Sequence, residues 1–273
     1  MSMDVQAIEE KGKKIKVSIF EKFLTIKEGH PGSILSIFDI VNTLYLGNYI
    51  RLNPKDNSMN DVFIMSKGHA ASVQYPYLVN AGIISEKDWD EWPGEESQLR
   101  VFANREIPGI DVTGGSLGHG LGIAAGIALG QKNDGSDARR IYVVISEGEL
   151  YEGSIWEALL FIAHHKLHKI HIILDVNNNI ILGNPADCLD LGNVASKFIA
   201  FGFSPMEIDG HDYNQIADGL EFLINAKQEH LRIVIANTVK GKGISFMENR
   251  PESHYWADLD DEKLHSMMVE LNK

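Results

Sequence analysis

The sequence predicts an α/β protein, a mostly parallel sheet with helices on both faces. Three observations carry this. Short apolar runs, Val62-Phe63-Ile64-Met65, Ile141-Tyr142-Val143-Val144-Ile145 and Ile170 to Leu174, are bounded by turn residues, as strands buried on both faces are. Helix-like segments alternate with these runs, the pattern of a covered parallel sheet. The 273 residues, 44% hydrophobic and 23% charged, suit one large domain over residues 1–273.

In chain order, Val5 to Glu28 reads as an amphipathic helix, with Ile8, Ile15, Ile19, Phe23 and Ile26 near one face. Gly29 stops it and His30-Pro31-Gly32 marks the break. A second helix is predicted from Ile34 to Leu46, and Asn53 to Asn57 is a turn. The strand Val62 to Met65 ends in Ser66-Lys67-Gly68-His69, and a helix follows from Ala70 to Asn80. Ser85 to Asp111 is polar and irregular, a surface loop with short helical pieces.

Gly118, Gly122, Gly126 and Gly130 recur every fourth residue. They predict a helix with a smooth side for close packing against another helix. A helix from Tyr151 to Lys166 links the two central strands. Further strands are predicted at Ser204 to Ile208 and Arg232 to Asn237, with a helix from Tyr213 to His230 between them and a short acidic helix at the C-terminus.

The central unit is the most telling. The run ending at Ile145 meets Ser146-Glu147-Gly148-Glu149, and the run ending at Leu174 meets Asp175-Val176-Asn177-Asn178-Asn179. Parallel strands joined by a crossover helix put both turns at one edge of the sheet. Ligands bind beyond that edge in open α/β sheets. A carboxylate at Glu147 and an amide at Asn177 supply hard oxygen ligands, suited to Mg²⁺ (or Ca²⁺ or Mn²⁺) carrying phosphate oxygens. Ordinary turn residues are the competing reading from spacing alone.

Net charge is −13 and the pI about 5.3, which argues against nucleic acid or an anionic membrane as partner. The single cysteine, Cys188, excludes an internal disulfide and fits a reducing cytoplasm. The start, Met1-Ser2-Met3-Asp4-Val5, carries no apolar signal core, and Leu117 to Leu129 is too short and glycine-rich to span a bilayer.

The spacing from Glu147 to Asn177 resembles that of the thiamine diphosphate enzymes, and the intervening text resembles transketolase. The matching text is Gly148-Glu149, Glu152-Gly153, Trp156-Glu157-Ala158 and Ala163-His164-His165-Lys166-Leu167. The resemblance runs from about Gly29 to His254. It implies a thiamine diphosphate-binding fold. By resemblance, Glu147 and Asn177 are metal ligands, Asn179 offers its backbone carbonyl, and Gly148 admits the diphosphate. The family has Gly-Asp-Gly where this chain has Ser146-Glu147-Gly148. Glutamate is longer by about 1.5 Å, so the arm must fold back, bind through water or shift the ion.

Thr113 to Gly120 resembles the family's cofactor loop, with Gly115 and Leu117 against the aminopyrimidine and thiazolium. Gly120-Leu121-Gly122-Ile123-Ala124-Ala125 also satisfies a dinucleotide fingerprint, but no strong strand precedes it and no acidic ribose ligand follows at the expected distance. His30, His69 and His254 fall where transketolases place active-site histidines, touching substrate hydroxyls or the diphosphate. Glu152 matches a glutamate that faces the activating glutamate of a partner domain. Lys240-Gly241-Lys242-Gly243 matches a signature near the substrate channel, although a solvated turn explains it nearly as well. His211 matches family text and reads as structural. His164, His165, His168 and His171 read as a solvated helix end.

A second departure is Phe102, which stands where transketolases usually have a histidine that binds the donor's terminal hydroxyl. Phenylalanine cannot make that bond. This raises an acyl unit, from a 2-oxo acid, as the alternative to the ketol unit of a sugar phosphate. The resemblance covers only the first of three transketolase domains. It therefore implies a separately encoded C-terminal subunit, an α2β2 heterotetramer, and carbon–carbon transfer only in the complex. A non-catalytic scaffold of the same fold and a 2-oxo acid dehydrogenase-like subunit are the alternatives.

Overall fold

The computed structural model describes residues 4–56, 59–136, 139–225, 230–251, 254–255 and 259–272. Among the described residues, five strands form one sheet: β1 (Val62–Met65), β2 (Ile141–Ser146), β3 (Ile170–Val176), β4 (Phe203–Asp209) and β5 (Leu231–Asn237). Their order is β1-β2-β3-β5-β4, and every adjacent pair is parallel. The helices are α1 (Val5–Ile26), α2 (Pro31–Leu46), α3 (Tyr75–Asn80), α4 (Glu86–Glu91), α5 (Gly120–Asn133), α6 (Gly153–His165), α7 (Pro185–Cys188), α8 (Val194–Ala200), α9 (Tyr213–Ile224) and α10 (Asp261–Leu271).

Alternation along the strands divides the core into two layers. Phe63, Met65, Tyr142, Val144, Ile173 and Val234 face one cluster, which takes in α1, α2, α9 and α10. Val62, Ile64, Ile141, Val143, Ile145, Ile172 and Leu174 face the other, which takes in α5, α6 and α8. Each fully buried aliphatic side chain stabilises the fold by about 1.5–3 kcal/mol relative to exposure. The sheet is therefore clamped from both sides, and its carboxyl edge is left for loops.

Several boundaries differ from the expectation, each for a local reason. Helix α2 begins at Pro31 with His30 as its N-cap, because proline's missing N–H costs nothing in the first helical turn. The predicted helix after β1 is a 3₁₀ segment, Gly68–Gln74, followed by α3. Pro76 cannot donate to a preceding carbonyl, which interrupts the α-type ladder. Strand β3 runs on to Val176, so Asp175 belongs to the strand and not to the turn. The crossover helix is a 3₁₀ turn, Glu147–Tyr151, and then α6. Helices α7 and α8 add to the predicted elements. Asn57 of the predicted turn and residues 226–229 of the predicted long helix lie outside the described residues.

The glycine expectation is corrected. Helix α5 does pack against α6, but through Leu121, Ala124, Ala125 and Ala128. A Cβ added at Gly122, Gly126 or Gly130 would meet nothing within 4 Å. That smooth side faces outward in this chain. His171 is also corrected: it is a buried strand residue, not part of a solvated helix end. Burial and the nearby Arg140 charge push its imidazole down to about 4. Among the described residues, no three or more His, Cys, Asp or Glu side chains are grouped to hold a metal ion, and no helix is long and apolar enough to cross a membrane.

Candidate active site

Strands β2 and β3 pair in register up to Ser146 opposite Asp175, so their following turns emerge side by side. Glu147 opens the 3₁₀ turn after β2. Its carboxylate reaches across and accepts the backbone N–H of Asn178 at 2.9 Å. The longer arm therefore folds over to the neighbouring strand end. Asn177 Oδ1 accepts the N–H of Asn179 at 3.1 Å. Glu147 and Asn177 are each 8% exposed.

Burial pushes the Glu147 carboxyl up, the Asn178 N–H opposes this, and the charge of Asp175 raises it further. A largely buried carboxylate and, at the end of the neighbouring strand, an amide oxygen are hard oxygen donors of the kind a divalent cation takes. The side-chain set fits the expected ion.

Beneath this pair lies a network that sequence reasoning missed. Lys67 follows β1 and is fully buried. Its ammonium donates to Asp175, to Ser33 O at 2.9 Å and to Ser36 Oγ at 3.1 Å. Asp175 also accepts from Thr238 Oγ1 and from Ser36 Oγ at 2.8 Å. Asn177 Nδ2 lies 3.4 Å from Ser36 Oγ. The ends of β1, β3 and β5 are thereby tied to the start of α2. The Ser66-Lys67-Gly68-His69 text draws attention to His69 alone, and nothing in the sequence pairs Lys67 with a residue 108 positions away.

Glu149 is a second such residue, although the Ser146-x-x-Glu149 spacing is a capping-box signature. Its buried carboxylate accepts from Ser66 Oγ, from Gly118 N at 3.0 Å and from Ser146 N at 2.8 Å. It joins the glycine loop to the strand ends. That loop fits tightly. Gly118 has φ +84, and a Cβ there would lie 2.7 Å from Glu152 Cβ. Ser154 Oγ donates to Gly118 O at 2.9 Å. Gly115 lies against Gly68, whose added Cβ would come within 2.7 Å of Gly115 N. The structure thus brings Gly118 directly beside Glu152, with Gly115 and Leu117 in the same loop.

The histidines converge. His30 lies 4.8 Å from His69 and 5.0 Å from His254, measured between ring centroids. Phe102 packs edge-on to His30 at 5.8 Å and is 42% exposed. A Cβ on Gly115 would lie 3.9 Å from its ring, so Phe102 spans from the glycine loop to the histidines. His69 Nε2 lies 3.1 Å from Ser33 Oγ. His30 Nδ1 is buried with no hydrogen-bond partner among the described residues. Tyr255, which carries no signal in the sequence, stands 5.2 Å from His30.

Lys240 is 2% exposed, which removes the solvated-turn reading. Its ammonium lies 3.1 Å from His254 Nδ1. Burial and the Lys67 charge push Lys240 down to about 8, against the pull of Asp175. Burial and the Lys240 charge hold His254 at about 4 and His30 below its usual value. Burial and the Lys67 charge hold His69 well below. All three imidazoles are neutral near pH 7, so they meet a ligand as hydrogen-bonding groups and not as cations.

Comparison with known proteins identifies the family and the fold. Residues 9–271 match the family described as transketolase, thiamine diphosphate binding domain. The chain is 40% identical over 238 residues to an apulose-4-phosphate transketolase subunit of Actinobacillus succinogenes, covering 86% of this chain and 84% of that one. It is 33% identical to the protein of the same name from Phocaeicola vulgatus, covering 93% and 90%. The crystal structure of transketolase from Campylobacter jejuni superposes with a TM-score of 0.88 at 27% identity. That match covers 99% of this chain but 43% of the other, so the chain spans less than half the length of that enzyme. With the family match running over residues 9–271 and relatives of 33–40% identity covered nearly end to end, the chain belongs to the transketolase family, as its thiamine diphosphate-binding domain.

Proposed function

We propose that this chain is the N-terminal, diphosphate-binding subunit of a two-component transketolase-like enzyme that transfers a two-carbon unit between carbonyl compounds. The observation that carries it is the convergence of His30, His69, His254 and Lys240 beside the same sheet edge that presents Glu147 and Asn177. In this reading residues 1–273 form one domain, and Glu147, Asn177 and the Asn179 carbonyl hold Mg²⁺ (or Ca²⁺ or Mn²⁺). Gly148 keeps the backbone open for the diphosphate, and Gly115 and Leu117 line the coenzyme loop. When bound, thiamine diphosphate supplies a carbon nucleophile and an electron sink for cleaving a bond beside a carbonyl.

The chain's own residues do the rest. Glu152, beside Gly118, presents its carboxyl group to a partner-domain glutamate for proton exchange across the aminopyrimidine. His30, His69 and His254 bind and orient the substrate's carbonyl and hydroxyl oxygens. Lys240 adds a positive charge suited to an anionic substrate. Phe102 closes one side of the channel and offers no hydrogen bond.

The partner is a separately encoded C-terminal subunit and the assembly α2β2, located in the cytoplasm. Two relatives, each a transketolase subunit, carry apulose 4-phosphate in their names. Apulose 4-phosphate is therefore the first donor to try, with a 2-oxo acid as the alternative raised by Phe102. The deciding experiment combines this chain with its partner, thiamine diphosphate and Mg²⁺, and follows product masses from apulose 4-phosphate, xylulose 5-phosphate and pyruvate. Transfer from a ketose phosphate that needs both chains supports the proposal. Turnover by this chain alone, or no turnover of any donor by the complex, refutes it.

A further inference from the structure

His211 stands apart from the three clustered histidines. It lies in the turn after β4, with its side chain 10% exposed. Nδ1 is 2.8 Å from Asp39 Oδ2 on α2. Nε2 is 2.9 Å from the backbone N of Val239. A backbone N–H can only donate, so Nε2 accepts, and Nδ1 carries the proton and donates it to Asp39. Asp39 is itself braced by the Tyr213 hydroxyl at 3.1 Å and by Lys16 at 3.5 Å. Burial pushes its carboxyl up, but the bond from His211 and the Lys16 charge hold it below the usual range.

Val239 follows the end of β5 at Asn237, and its neighbours all act on the site. Thr238 Oγ1 donates to Asp175. Lys240 meets His254. Gly241 N donates to Gly32 O at 3.1 Å. His211 is thus one link from the segment that sets the height of Lys240, and its other end is anchored on the helix that begins beside His30.

We propose that His211 is a positioning residue for Lys240: by holding the Val239 amide against Asp39, it fixes the Thr238–Gly241 segment so that the Lys240 ammonium sits buried beside His254. A lysine stem is long and flexible. With its backbone released, an ammonium facing Lys67, His30 and His254, with Asp175 as the attracting carboxylate, swings toward water. This inference rests on the reading of Lys240 as a channel residue, but the test reads the ammonium itself and needs no turnover.

The test is a pH titration of the full-length chain labelled with ε-¹³C lysine, followed by NMR, with Lys240 assigned by its loss in Lys240→Met. The wild type shows Lys240 titrating near the low value of about 8. His211→Leu and His211→Ala move the midpoint toward the ordinary lysine value of 10.5. His211→Gln keeps it low, because one carboxamide accepts from Val239 and donates to Asp39. A midpoint unmoved in folded His211→Leu or His211→Ala overturns the proposal. So does a His211→Gln shift as large as that of leucine, an ordinary lysine titration in the wild type, or failure of both disruptive variants to fold. Donor KM in the Lys240→Met complex is measured separately. An unchanged KM removes Lys240 from the channel without touching the NMR result.

Discussion

Lys67 and Asp175, 108 positions apart, form a fully buried ion pair beneath the candidate coenzyme site. Removing one partner of such a pair leaves an uncompensated charge and costs about 3–5 kcal/mol. Lys67→Met is therefore expected to lower unfolding free energy by about that amount in urea titrations. Lys67→Met combined with Asp175→Leu is expected to cost less than the sum of the single changes. Additivity would show that the pair is not coupled.

The glycines make a contrasting pair of predictions. A methyl at Gly118 has a positive φ to adopt and Glu152 Cβ at 2.7 Å to displace. Gly118→Ala is expected to destabilise by about 1–3 kcal/mol and to weaken thiamine diphosphate binding. At Gly126, inside α5, a Cβ meets nothing within 4 Å. Gly126→Ala is expected to stabilise the isolated chain by about 0.5–1 kcal/mol. Thermal unfolding of both variants checks the pair. A stabilised Gly118→Ala or a destabilised Gly126→Ala contradicts this reading of the loop and the helix.

Acid is expected to weaken the fold through histidine. His171 is held at about 4, mainly by burial, so between about 6.5 and 4 the unfolded chain binds the proton that the folded chain refuses. The stability is present above about pH 6.5 and is lost as pH falls toward 4. For a group this buried it amounts to about 3 kcal/mol. His254, His69 and His30 act in the same direction. Urea midpoints measured from pH 7.5 to 4.5 check the trend, and His171→Phe should flatten it. Stability unchanged over that range would refute the buried neutral state.

Much of the fold and part of the site are legible in the sequence, and the reasons differ by residue. The strands announce themselves through β-branched runs, and the crossover rule puts Glu147 and Asn177 at one edge. His30, His69 and His254 are legible only by resemblance, since no spacing brings residues so far apart together. Lys67, Asp175 and Glu149 do not stand out, because a buried charge reads in sequence like any turn or strand-end charge. The outward side of α5 is misleading because small residues permit close approach without saying whether any element approaches.

Phe102 offers a specificity test. Phe102→His would place an imidazole between His30 and the glycine loop. A buried hydrogen bond to a substrate hydroxyl discriminates by about 1–3 kcal/mol. The variant complex is expected to favour a linear ketose phosphate, relative to pyruvate, by about tenfold or more in kcat/KM over the parent. Equal ratios in parent and variant would remove Phe102 from the specificity argument.

In the proposed function, Glu147 and Asn177 hold a divalent cation carrying the coenzyme's diphosphate. Calorimetric titration of thiamine diphosphate into the complex of this chain and its partner, with Mg²⁺ and then with chelator, tests it most directly. Binding is expected with Mg²⁺, none with chelator, and at least a tenfold loss of affinity in Glu147→Gln, about 1.4 kcal/mol. Equal affinity with and without the metal, or in parent and Glu147→Gln, would contradict it.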